Sequence, residues 1–214
     1  VMSENGDYIL ASADSGTNSG INFFSKHSNS PLWSGSGFTG SGSSSVSISP
    51  DGLHIAFGFD DGIYYFKNHI PIATINNVSS GVVVYGDTIT FNGSATDSDS
   101  SISVYEWTSS IDGIISNESS FSLSNLSVGT HLVKFRAQDN HTFWSEFDTY
   151  QIIVTPNSSP TITLVSPGNN SQTYPNTMLK WNASDNNSHQ DLTFKVYLGE
   201  TEDSMSVIAS DTPP

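Results

Sequence analysis

Asp97, Asp99 and Asp139 are the residues whose type and spacing could do chemistry in this chain. Two of these carboxylates share one acidic loop, ATDSDSS, and the third follows a strand that should end near it. Together they would offer calcium several hard oxygen ligands at one pole of a β-sandwich. Asp185 and Asp191 hold a comparable position further along. Against this, Asp in polar loops is common simply because it initiates turns and caps backbone amides.

Other reactive constellations are missing. The six His residues, at 27, 54, 69, 131, 141 and 189, form no His-x-His or His-x-x-x-His pair that would bring two nitrogens to one metal. Serine is abundant, but no Gly-x-Ser-x-Gly elbow presents one as a nucleophile. Gly35-Ser-Gly37-Phe-Thr-Gly40 has the spacing of a dinucleotide fingerprint, yet no helical periodicity follows to hold a pyrophosphate, so it reads as a Gly/Ser loop. No catalytic residue and no organic cofactor are expected, and the chain is not read as an enzyme.

Two further features bear on partners. Trp107 and Trp181 could stack on sugars, but their alternating strand positions read as core, and Trp144 is the better candidate for an exposed ring. Nine Asn-x-Ser/Thr sequons begin at Asn77, Asn92, Asn117, Asn125, Asn140, Asn157, Asn169, Asn182 and Asn186, a pattern that suits a glycosylated export product.

The elements that must position these residues are strands. Of 214 residues, 35% are hydrophobic and only 13% charged. Ser, Thr, Asn and Gly are plentiful, which favours short strands and turns over long helices. A formal charge of −15, spread along the chain, would repel nucleic acid phosphates and anionic headgroups, so neither is an expected partner. Without Cys there are no disulfides, and no apolar run approaches the roughly 20 residues that span a bilayer. The expected class is all-β.

Residues 1–68 contain a degenerate repeat. Glu4 to Asp14, ENGDYILASAD, aligns with Pro50 to Asp60, PDGLHIAFGFD, at a spacing of 46, and Gly20 to Phe24 aligns with Gly62 to Phe66 at 42. Asn5-Gly6, Asp51-Gly52 and Asp60-Asp61-Gly62 supply hairpin turns. The run ISPDGLHIAFGFDDGIYYFKN, Ile48 to Asn68, resembles blades of the WD-repeat family and its quinoprotein-like relatives, although Phe66-Lys67 stands where that family carries Trp-Asp. The resemblance implies a partial β-propeller of about one and a half blades, with the rest of the ring upstream.

Asn68 to Ile75 reads as a linker, with residues 69–155 forming a second module. Alternation along it points Ile89, Phe91, Tyr105, Trp107, Phe121, Leu123, Val133, Phe135, Ile152 and Val154 inward. Across residues 71–155, GDTITFNGSATDSDSSISVYEW, LSVGTHLVKFRAQDN and TYQIIVT resemble the PKD (polycystic kidney disease) domain family, which implies an immunoglobulin-like sandwich. His131 falls where such sandwiches often place a corner Tyr, and is read as structural. Residues 156–214 resemble the first part of a fibronectin type III-like domain, with Phe91-Asn92 and Trp181-Asn182 corresponding at a spacing of 90. That segment should form about four strands and an incomplete sandwich with its inner face uncovered.

These resemblances imply a non-catalytic fragment of a larger extracellular or cell-surface protein, similar to the multi-module surface proteins of archaea and some bacteria. Binding or adhesion to a protein or glycan ligand is the expected role, with sandwiches as spacers and no membrane contact within the fragment. The alternative is a set of accessory modules of a secreted protease or polysaccharide-degrading enzyme whose catalytic domain lies outside the fragment.

Overall fold

The computed structural model describes residues 1–13, 19–38, 45–168, 171–172, 177–186, 192–198 and 205–212. Every regular element among them is a strand, so the chain is all-β as its composition implies. The strands fall into two compact units, Val1–Ser79 with Thr90–Phe121 and Leu132–Gln151, and Ser80–Ile89 with Ser122–His131 and Ile152–Pro214.

The first unit opens with two three-stranded antiparallel sheets. One is β1 (Tyr8–Ala13), β2 (Ser19–Ser25) and β3 (Trp33–Phe38); the other is β4 (Ser45–Ile48), β5 (His54–Phe59) and β6 (Gly62–Lys67). The sequence repeat is reproduced bond for bond in the turns that precede β1 and β5. Ser3 Oγ donates to Asn5 Oδ1 and accepts the Tyr8 N–H, while Ser49 Oγ donates to Asp51 Oδ1 and accepts the His54 N–H. The same Asx oxygens accept the N–H groups of Asp7 and Leu53. Gly6 and Gly52 donate to the carbonyls of Ser3 and Ser49 from φ of +73° and +79°, a conformation that side chains disfavour. At Gly52 space forbids a side chain as well, since a Cβ there would lie 2.4 Å from the ring of Tyr8.

Both sheets bury one face in a shared aromatic core of Tyr8, Leu10, Ile21, Phe23, Phe38, Ile55, Phe57 and Phe59. Ring pairs such as Phe38–Phe59, stacked at 4.8 Å, and Phe57–Phe66 at 5.5 Å add directional attraction to the burial. The stretch read from sequence as a linker is shorter than expected. β7 (Ile72–Val78) already begins at Ile72, because Ile72 to Val78 has a neighbouring strand to pair with, and only residues 68–71 connect it to β6.

β7 begins the immunoglobulin-like sandwich. Its other strands are β8 (Val82–Val84), β9 (Ile89–Thr96), β10 (Ile102–Ser109), β11 (Gly113–Ser116), β12 (Ser120–Leu123), β13 (Gly129–Asp139) and β14 (Asp148–Thr155). They form sheets of order β12-β9-β7 and β11-β10-β13-β14-β8. In the first unit Trp107 is wholly buried, stacked on Phe135 at 4.3 Å and met edge-on by Phe91 at 5.5 Å from the opposite sheet. Its indole N–H donates to the Glu118 carbonyl at 3.0 Å, so the ring is buried without an orphaned donor. Gly93 makes that packing possible, since a Cβ would stand 2.6 Å from Phe135 and 2.8 Å from Trp107.

In the second unit β8 runs parallel to the end of β14, pairing Val82 with Ile153 and Val84 with Thr155. His131 is fully buried there, with Nε2 at 2.7 Å from the Ser127 carbonyl. Beyond it lie β15 (Thr161–Ser166) paired with β16 (Lys180–Ser184), and β17 (Phe194–Leu198) paired with β18 (Ser206–Thr212). Trp181 meets Phe194 at 5.6 Å, but Ile162 and Leu164 remain 65% and 55% exposed. A cleft of about 490 Å³ opens between Ile162, Leu164, Leu179, Trp181, Phe194 and Val196.

Candidate functional site

The loop after β9 and the turn after β13 do come together, and both lie in the first unit. Ser100 Oγ donates to Asp139 Oδ2 at 3.1 Å, and the Asn140 N–H donates to the Ser101 carbonyl at 2.9 Å. The predicted carboxylates therefore share one pole. What each does there is acceptance of hydrogen bonds from its own surroundings.

Asp97 Oδ1 accepts the N–H groups of Asp99 and Ser100 at 2.9 and 3.0 Å, an Asx turn that closes the acidic loop. Burial works against its ionisation, but hydrogen bonding from Asp99 and Ser100 outweighs this and holds the carboxyl below the usual carboxylate range. Asp99 Oδ2 accepts the His69 N–H at 3.0 Å and lies 3.3 Å from His69 Nδ1. Asp139 is only 1% exposed; Oδ1 accepts the Phe143 N–H at 2.7 Å and Oδ2 the Ser100 hydroxyl. Burial pushes its carboxyl above the ordinary range, and the Phe143 and Ser100 hydrogen bonds pull the other way. Among the described residues no group of three or more His, Cys, Asp or Glu side chains is arranged to hold a metal ion. Asp185 is described, whereas Asp191 lies outside the described residues.

Of the three aromatic candidates, only Trp107 stands where its strand position suggested. Trp107 is core and Trp181 is half-buried. Trp144 is also half-buried, under the Arg136 guanidinium at 4.1 Å from its ring centre. Arg136 is in turn held by Glu106 at 2.7 Å, and Phe147 lies 4.8 Å from the same guanidinium. This cation-aromatic stack occupies one face of Trp144. Sequence reasoning had no signal for it beyond the alternation that puts Lys134 and Arg136 on one side of β13.

Of the sequon residues, Asn77, Asn92, Asn117, Asn125, Asn140, Asn157, Asn182 and Asn186 are exposed, and Asn169 lies outside the described residues. Gly35, Ser36, Gly37 and Phe38 of the Gly-rich run belong to β3, with Thr39 and Gly40 outside the described residues. Strand pairing of Gly35 with Ile21 replaces the strand-to-helix turn that a dinucleotide site requires.

Comparison with known proteins finds no match among curated sequences. Matching solved structures include fibronectin(III)-like modules of CbhA from Clostridium thermocellum, 21% identical over 40% of this chain and 98% of that one, with a TM-score of 0.34. They also include the extracellular domain of a hybrid two-component system from B. thetaiotaomicron, 18% identical over 73% of this chain and 26% of that one, with a TM-score of 0.33. The chain thus spans about a quarter of the latter. Among protein families, residues 73–142 match the PKD domain, a stretch that contains Asp97, Asp99 and Asp139.

Proposed function

We propose that this chain is a set of non-catalytic binding and spacer modules of a larger extracellular or cell-surface protein. The observation that carries the reading is the PKD match over residues 73–142, whose carboxylates are engaged in shaping loops. Residues 1–68 act as propeller-type blades presenting a recognition face, residues 69–155 as the PKD-like spacer, and residues 156–214 as the start of a fibronectin type III-like sandwich. The blade reading is supported by the hydrogen bonds that repeat at Ser3, Asn5 and Gly6 and again at Ser49, Asp51 and Gly52. The ligand is a protein or a glycan. The exposed sequon residues suit export to a glycosylating surface.

The test is surface shaving. Brief protease treatment of intact cells, followed by mass spectrometry, should release peptides of this chain, some carrying glycans at the exposed sequons. Recovery of those peptides only after lysis would overturn the extracellular reading. A catalytic domain in the same polypeptide would assign the modules to a secreted enzyme in place of an adhesin.

A further inference from the structure

We infer that the two N-terminal sheets, β1–β3 and β4–β6, and the turn after β13 are one rigid body, joined by a built interface in which Phe143 completes the core of those sheets. Phe143 is 5% exposed and packs in the same cluster as Leu10, Ile21 and Phe57. Its ring stacks on Tyr8 at 4.6 Å and on Phe23 at 6.4 Å, so it is part of the aromatic core of those sheets. The Tyr8 hydroxyl lies 3.4 Å from the Thr142 carbonyl.

The turn that delivers Phe143 is fixed from behind. Asp139 accepts the Phe143 N–H at 2.7 Å, while its own N–H donates to the Phe143 carbonyl and its carbonyl accepts from Thr142. Thr142 sits at φ +72°, a conformation uncommon for a non-glycine residue and held here by those bonds. The covalent connection is pinned as well. Asn68 donates its N–H to Leu53 and its side-chain amide to the Gly52 carbonyl, His69 is bonded to Asp99, and Pro71 is buried. A four-residue connection held at both ends, beside an aromatic plug, leaves no hinge. The N-terminal sheets are therefore carried at a fixed orientation on the sandwich strands of the first unit, a property that stands whether or not the adhesin reading does.

Spin labels at Ser30 and Asn117, both exposed, measure this directly in the full chain by double electron–electron resonance. A single narrow distance distribution is expected. F143A should at least double its width, or abolish the folded signals of residues 1–68 while those of β9, β10 and β13 persist, and F143L should restore a narrow distribution. A broad wild-type distribution, or an F143A distribution as narrow as wild type, would overturn the inference. If F143A fails to fold at all, the wild-type width decides alone.

Discussion

The sandwich strands around Phe91 and the strands around Trp181 carry the same pattern and meet different fates. Phe91-Asn92 and Trp181-Asn182 each place an aromatic residue beside a polar one in a strand, yet Phe91 is fully buried and Trp181 only half so. Phe91 has Trp107 across from it at 5.5 Å, from the other sheet, and Phe121 beside it on the neighbouring strand at 4.7 Å. Trp181 has Phe194 at 5.6 Å, and its indole N–H is enclosed without a hydrogen-bond partner. Alternation designates a face. Burial requires a second sheet to cover it, and the stability follows the burial.

The sharpest break of this comparison is a separation of the pieces. Residues 160–214 alone should give no cooperative thermal transition, whereas the full chain should melt cooperatively; a sharp melt of the isolated segment would contradict the open-face account. Next in size, W107A should cost about 3–5 kcal/mol in denaturant unfolding, and W181A a small part of that. Equal losses would mean that the two cores are equally formed. G93A should follow at about 1–3 kcal/mol, because the rings of Phe135 and Trp107 cannot both retreat from the new methyl group.

The smallest effect is electrostatic. With its carboxyl held above the ordinary range by burial, Asp139 adds stability that is complete below the unfolded carboxylate value, about 3.9, and is lost as pH rises through the folded value. D139N keeps an oxygen for the Phe143 amide and removes the buried charge. It should be at least as stable as wild type near neutrality, with the difference shrinking on acidification toward about pH 4. Asp97 works in the opposite sense, since its contribution persists above the unfolded value and is lost only as pH falls through its depressed folded value. Urea titrations of wild type and D139N across this range separate the two; a D139N advantage that grows on acidification would reverse the assignment for Asp139.

What was legible in the sequence follows from period. Ile89, Phe91, Trp107, Val133, Phe135, Ile152 and Val154 lie on alternating strand positions, and each is buried. The pole that gathers Asp97, Asp99 and Asp139 was legible as well, because strand ends bring loops together. The engagement of those carboxylates by loop amides was one of the two readings that the sequence left open. Whether an Asp binds an ion or its own amides depends on loop geometry that composition does not encode. Phe143 was missed for another reason. It stands in a polar turn, DNHTFWSEF, where no periodicity marks it as buried, and the surface that covers it comes from Tyr8 and Phe23 at the other end of the module order.

Ser3 and Ser49 also escaped the sequence alignment, which began one residue later, though they close the repeated turn. Each copy of that turn is satisfied within its own few residues, from the serine hydroxyl to the Asx oxygen to the glycine amide. A device whose serine, Asx and glycine bonds close among themselves can be duplicated in a gene without disturbing what flanks it. Selection is then left to hold Ser-x-Asx-Gly while the strands beyond diverge.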